Sequence, residues 1–467
     1  MMRKSLAPSL VAGKKAAAPG RPRSVSSATW AFGLSLSAVL IAVIGFGGVY
    51  SYIWVPVSIG LFLGVIVLLW GWVLGRYELK VHVLLYPLLG FGLLVTLQWL
   101  AKWSVYPGAT ATELVQLCAC GCIFFLTLQT SAKTHIIRLG QALWLFCGLL
   151  SAEAICQFFT ARGYIYWFHN ASYANPVGPF VYHNHFAGCM DLLLPMTVIY
   201  AFRHEPALEP QWVTWLRRGM VPALGLAAMV ISQSRGGIIT LSFECIVGLW
   251  AFWPELKNSR SPRYALAAGI VMLGFFSYLA NWKPILSRFF ALGNHDPDFW
   301  DRVRVAESCW HIFIAHPWLG TGFNTFARVY PAYQLFDNGL IFLYAHNDYA
   351  QALAETGIAG ALCVILFLWI WCLGFWRRRQ NKNAPVLVRN LQLAAFISTA
   401  GLLFHSLGDF QFHAPANAFL FFLLAAAAVL PAAAVEKTRK VPPEPSAYPF
   451  PGPSNGHFRA QSDSKNR

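Results

Sequence analysis

The chain has 467 residues, of which 57% are hydrophobic and only 12% charged, and its mean hydropathy is +0.50. A soluble domain carries about 25% charged residues, so the composition excludes that class and points to an all-α polytopic membrane protein. The net charge of +16 comes from 35 basic and 19 acidic residues; in a membrane its distribution is more informative than its sum.

Residues 1–29 carry Arg3, Lys4, Lys14, Lys15, Arg21 and Arg23 among Ala, Pro and Ser, with no acid. The stretch is compatible with a targeting peptide, but reads better as a disordered basic tail before a first membrane helix. Apolar runs that suit a bilayer, about 20 residues each, follow at 30–49, 53–75, 81–101, 112–130, 137–158, 182–202, 217–234, 237–254, 264–281, 347–376, 388–408 and 415–435. The layout is therefore a transmembrane domain of about twelve helices at 30–435, with a Pro- and Ser-rich, disordered tail at 436–467.

Twelve spans put both termini on one side. With the N-terminus inside, 27 of the 35 Lys and Arg fall inside, including Arg377, Arg378 and Arg379. Eight remain outside: Lys102, Arg162, Arg235, Lys283, Arg288, Arg302, Arg304 and Arg328. The positive-inside rule selects this orientation, with cytoplasmic tails. Two outer loops are long, 159–181 and 282–345. In the second, Phe299, Val303, Ala306, Trp310 and Phe313 recur at helical spacing, which predicts an amphipathic helix lying on the membrane surface.

The ten cysteines fall almost wholly in apolar runs and predict core packing, with neither a disulfide framework nor a zinc site. Asp296-Pro297-Asp298 has a D-x-D form, but a loop turn explains it better than a metal site. Glu153, Asp191 and Glu244 lie within predicted spans, as a proton relay, which would favour a transporter, or as partners of buried polar groups.

The outer cations are the informative set, because insertion disfavours them there. Arg235 sits in the tight hairpin Ser234-Arg235-Gly236-Gly237 between two short spans; the alternatives are snorkelling to headgroups and bidentate binding of phosphate. Arg302 and Arg304 flank the apolar stripe of the loop helix, each with an acid within one turn, Asp298 and Glu307. His183, Asn184 and His185 open the sixth span and read as polar cavity lining. His346 and Asn347 open the tenth, with Asn347 a good N-cap. At about 100° per residue, a continuous helix would set Gly357 and Gly360 on the face of His346, and Glu355 about 180° away from it. His346 is either a surface histidine at the interface or a functional group beside a helix N-terminus, where backbone N–H groups attract anions.

His346-Asn347, nine residues, then Gly357-x-x-Gly360 resembles the signature of the O-antigen ligase family. Ser234-Arg235-Gly236 is similar to that family's arginine element. Pro317-x-x-Gly320-x-Gly322-x-x-x-Phe326, with Arg302 fifteen residues upstream of the proline, resembles its outer loop. Gly178 to Pro195, with Asn184, Phe186 and Ala187, resembles the start of its sixth span. The family's tryptophan four residues after the loop arginine is Ala306 here, with Trp310 one turn later, so Arg302 and Arg304 both stand as candidates.

The resemblance implies a metal-independent membrane glycosyltransferase without a cofactor and without nucleic acid as a partner. It would work at the outer face of the bacterial inner membrane, facing the periplasm and surrounded by membrane lipids. The donor would be a glycan on undecaprenyl diphosphate, and the acceptor lipid A-core, another glycan or a protein, which makes the expected activity that of a ligase first, a polysaccharide polymerase second and a protein O-glycosyltransferase third. By the same resemblance Arg235 and Arg302 bind the diphosphate, His346 acts on the acceptor hydroxyl, and Arg304, Asn347, His183, Asn184 and His185 line the substrate site.

Overall fold

The computed structural model describes residues 27–76, 78–130, 132–171, 175–202, 210–256, 297–339, 341–381 and 383–431. Residues 1–26 of the N-tail, the run at 264–281 and residues 432–467 lie outside them, and the last three residues of the expected tail, 27–29, open α1. The helices are α1 (Ser27–Ile44), α2 (Ser51–Val73), α3 (Leu85–Leu100), α4 (Pro107–Leu128), α5 (Ile137–Thr160), α6 (His183–Ala201), α7 (Gln211–Trp215), α8 (Val221–Ile231), α9 (Arg235–Leu256), α10 (Pro297–Ala315), α11 (Phe326–Val329), α12 (Asp348–Arg379), α13 (Val386–His405) and α14 (Pro415–Val429). A two-residue ribbon, β1 (Tyr164–Ile165) with β2 (His169–Asn170), is the one sheet among the described residues.

Every expected apolar run other than 264–281 contains a helix. Six described helices are long and apolar enough to cross a membrane; α3 and α14 are apolar but have 16 and 15 residues. This is a helical membrane protein. A helix apolar on all sides belongs in the middle of a bundle, and α14, buried from Pro415 to Val429 apart from Phe422, lies there with α6. Ala425 to Ala428 bring neighbouring backbones close. Side chains reach the carbonyls near the end of α14: Trp371 Nε1 donates to Ala425 O at 3.0 Å and, just past the helix, Gln392 Nε2 to Leu430 O at 2.7 Å.

The inter-element contacts sort into two ends, as alternating helices require. At one end Lys80 Nζ donates to Thr130 O at 2.9 Å, Arg217 to Ala201 O, and Arg379 Nη1 to Asn390 Oδ1 at 3.4 Å. At the other end Gly47 packs on Phe180, Gly48 on Pro415, and Gly322 on Ser104.

The tenth run departs from the expectation of one continuous helix. Gly357 has φ 61° and ψ −160°, a conformation essentially reserved for glycine, and it breaks α12. The wheel that set His346, Gly357 and Gly360 on one face therefore does not apply. The break exposes backbone groups on both sides, and the loop after α10 fills it. Ile358 N donates to Pro317 O at 2.8 Å and Ala359 N to Trp318 O at 3.1 Å. In return Thr321 N donates to Ala354 O at 3.2 Å and Gly322 N to Glu355 O at 3.0 Å. Gln98 of α3 joins the same junction, donating to Glu355 O at 2.9 Å and accepting from Phe323 N at 3.1 Å. Glu355 receives Asn324 N and Phe326 N at 2.8 and 2.9 Å.

α10 carries a second apolar face besides the expected stripe. Its buried face is Val305, Ser308, Cys309 and Ile312, which join Phe326, Val329, Tyr330, Ala345 and Ala354 in a second small core. Phe299, Val303 and Trp310 point away from the protein, 41–53% exposed. All ten cysteines are free thiols.

A Cβ at Gly357 would lie 2.7 Å from Pro317 O, and φ is positive. Gly357→Ala is therefore expected to destabilise by at least about 1–3 kcal/mol, read as a lower unfolding midpoint in detergent. Gly92→Ala, where a methyl group meets nothing within 4 Å, serves as the control with little change.

Candidate functional site

At the end of the bundle that holds the α12 break, the short connection from α13 to α14 turns inward. Phe410 stands at its centre. Its ring stacks on Tyr344 and Tyr182, with centroids 4.6 and 5.7 Å away, and meets His346 and His185 edge-on, each at 4.8 Å.

Asp409, beside Phe410, is 1% exposed. Its Oδ1 lies 3.2 Å from His346 Nδ1, and its Oδ2 accepts from Asn184 Nδ2. Burial alone would raise this carboxyl. The hydrogen bond from His346 and the positive charge of Arg302, with contributions from His346 and His185, outweigh burial and hold it well below the ordinary carboxylate range.

His346 itself is in the left-handed region, φ 50°, so it precedes the helix rather than belonging to it. Asn347 follows in extended conformation and caps α12, its side chain accepting from Tyr349 N at 3.1 Å and Ala350 N at 3.0 Å. The sharp turn aims the imidazole at Asp409, and the side chain keeps 22% exposure.

Arg302 comes to this point from α10, where its guanidinium donates to Gly408 O and lies against Tyr182. Arg304, two residues on and about 200° around the helix, sits instead over the Phe336 ring at 5.3 Å. The two candidate arginines are thus separated: Arg302 shares the His346 cluster, and Arg304 does not.

The hairpin expected around Arg235 is shorter than predicted. α8 ends at Ile231, the turn is Ser232 to Ser234, and Arg235 is the first residue of α9. Ser234 Oγ caps it by accepting Gly237 N at 3.1 Å. His183 Nδ1 lies 2.9 Å from Ser232 O, tying this turn to the start of α6. His183, Asn184 and His185 therefore do not converge on one point: the first holds the Arg235 turn, the second holds Asp409, and the third packs under Phe410.

Asp348, Asp409, Phe410, Gln411 and His413 escaped the sequence reading. The available signal was a polar nonapeptide from His405 to His413, with an acid and two histidines, between two apolar runs. Asp348 Oδ1 accepts from His413 Nδ1 at 3.1 Å. Of the buried acids, Asp191 pairs with His405 Nδ1 at 2.7 Å. Asp296 lies outside the described residues, and of Asp298 only the helical backbone is described.

The arrangement has a chemical reading. A carboxylate held ionised beside His346 Nδ1 fixes the tautomer that leaves Nε2 as a base, and Arg302 places a cation beside it. Residues 221–365 match the family model described as O-Antigen ligase, and that match contains Arg235, Arg302 and His346 but ends before Asp409. No curated protein matches the chain.

Burial opposes the charged form of His413. The hydrogen bond and charge of Asp348, followed by Glu113 and Glu355, outweigh it and raise His413 to about 9. A raised histidine contributes its stability in full below the ordinary value of 6.5 and loses it as pH climbs through about 9. The unfolding midpoint is expected to fall across that window, and His413→Gln to flatten the fall; equal slopes in the two proteins would refute it.

Proposed function

We propose that this chain, whose residues 221–365 belong to the O-antigen ligase family, is a membrane glycosyltransferase of the ligase type. It moves a glycan from undecaprenyl diphosphate to an acceptor hydroxyl on the periplasmic side of the bacterial inner membrane, without metal. The supporting observation is the meeting of His346, Asp409 and Arg302 at one end of the bundle, on elements separate in sequence. The twelve-span layout with cytoplasmic termini puts this end outside and the Arg377–Arg379 cluster inside.

In this reading the acceptor hydroxyl gives its proton to His346 Nε2 while its oxygen attacks the anomeric carbon of the donor sugar. The bond from that carbon to the phosphate oxygen breaks, and undecaprenyl diphosphate leaves with the electron pair. Arg302 and Arg235 stabilise the charge that gathers on the diphosphate. Asp409 keeps the imidazole oriented and stabilises its protonated form. Asn184 holds Asp409, Asn347 caps the helix behind His346, and His183 and His185 fix the two sides of the site. Arg304 stands apart from this chemistry.

His346→Ala is expected to keep binding of the lipid-linked donor and to lower transfer by about 10²–10⁴, the loss of a general base. Arg235→Ala weakens donor binding itself. Arg302→Ala costs about 10²–10³ in transfer, and Arg304→Ala little. Equal loss of donor binding in His346→Ala and Arg235→Ala would make the histidine a phosphate ligand and refute its role as base. In a deletion strain, loss of glycan attachment supports the ligase, whereas glycans that are attached but short identify a polymerase.

A further inference from the structure

Behind the site lies a polar chain that the proposed reaction does not use. Its hydrogen-bond directions follow from the chemistry of its members. Asn417 Nδ2 donates to Gln411 Oε1 at 2.9 Å and to His185 O, also at 2.9 Å. Gln411 Nε2 faces His405 Nε2 at 3.2 Å and donates to Asn184 O at 3.1 Å. An amide nitrogen can only donate, so His405 Nε2 accepts and His405 Nδ1 carries the proton, which goes to Asp191 Oδ2 at 2.7 Å. Asp191 and His405 are 0% and 3% exposed.

This chain ends against the helix that begins with Arg235. A Cβ on Gly236 would lie 2.6 Å from His405 Nε2 and 2.9 Å from Cδ2, so the first turn of α9 rests on the imidazole. Gly237 is pressed in the same way, on Ala187 of α6 and Met229 of α8. Three residues beyond His405, Gly408 O receives Arg302. One buried imidazole thus touches the backbone beside one arginine and stands on the segment that anchors the other.

We propose that Asp191 and His405 form a positioning pair for the diphosphate-binding arginines, with His405 as the backstop that sets the first turn of α9, and hence Arg235, relative to Arg302. The pair does not touch substrate. A diphosphate needs two guanidinium groups at a set separation, because bidentate recognition is lost with small displacements. A side chain held at both ring nitrogens supplies that fixed distance where a freely rotating one would not. The proposal rests on the assignment of Arg235 and Arg302 to the donor.

The test uses purified full-length protein in nanodiscs with undecaprenyl diphosphate as probe. His405→Ala and Gly236→Ala are each expected to weaken its binding tenfold or more. His405→Gln, which keeps a hydrogen-bond donor for Asp191, loses less. Arg235→Ala/His405→Ala should bind no more weakly than Arg235→Ala alone, since both act through one guanidinium. Wild-type affinity in His405→Ala, or losses that multiply in the double variant, would overturn the pair's role. If the wild-type protein does not bind undecaprenyl diphosphate, the functional reading fails. Positioning is then decided by amide hydrogen exchange over residues 232–240, faster in His405→Ala and unchanged in Arg235→Ala. Unchanged exchange in His405→Ala overturns it. Should His405→Ala not fold, Asp191→Asn takes its place in both measurements.

Discussion

The break of α12 at Gly357 is the constraint on which the outer end of the protein depends. A continuous helix would satisfy its own backbone and offer nothing to the loop. Once broken, it presents N–H groups at Ile358 and Ala359 and carbonyls at Ala354 and Glu355, and the Pro317–Gly322 segment answers all four. Buried backbone groups cannot go unpaired without cost, so loop and helix specify each other. The consequence is functional geometry: the loop that closes the break is the continuation of α10, which carries Arg302, and the broken helix is the one that His346 precedes. The small apolar core of Val305, Cys309, Ile312, Phe326 and Ala354 seals the same junction.

The second organising feature is the nonapeptide from His405 to His413. In a bilayer, polar groups must be met inside the protein, and this segment brings in enough of them to tie α6, α9 and α12 to the connection between α13 and α14. Asp191 of α6 and Gly236 of α9 meet His405, Asn184 of α6 and His346 before α12 meet Asp409, and Asp348 of α12 meets His413. Phe410 fills the space among these pairs, its ring against Tyr182, His185, Tyr344, His346 and His413. The arrangement also bears on transport as a rival function. Transport expects acids such as Asp191 to form a path near mid-membrane. Here Asp191 is engaged by a histidine whose other nitrogen is already held.

Much of this was legible in the sequence, because hydropathy and charge report directly on bilayer physics. The apolar runs locate the helices, and the sorting of Lys and Arg assigns Lys80, Arg217 and Arg379 to one end and Arg302 to the other. Asn347 is read correctly as a cap because capping is local chemistry. Where the reading failed, the determinant was non-local. Gly357 looks like a helix-packing glycine until the Pro317 loop is seen to require its positive φ. The inward stripe of α10, Val305, Cys309 and Ile312, went unread beside the more aromatic outward one of Phe299, Val303 and Trp310. Arg302 and Arg304 were inseparable because the partner that distinguishes them, Gly408 O, lies 106 positions away. Asp409 was overlooked because a lone acid in a short turn has no local pattern.

In the proposed mechanism Arg302, Arg235 and His346 face a single diphosphate-linked sugar. An experimental structure of the protein with an undecaprenyl-diphosphate-linked sugar tests it most directly. Phosphate oxygens are expected within hydrogen-bond reach of both guanidinium groups, with His346 Nε2 turned toward the anomeric carbon's open side and Asp409 still on Nδ1. A diphosphate bound away from Arg302, or His346 turned out of the site with the donor in place, would contradict it.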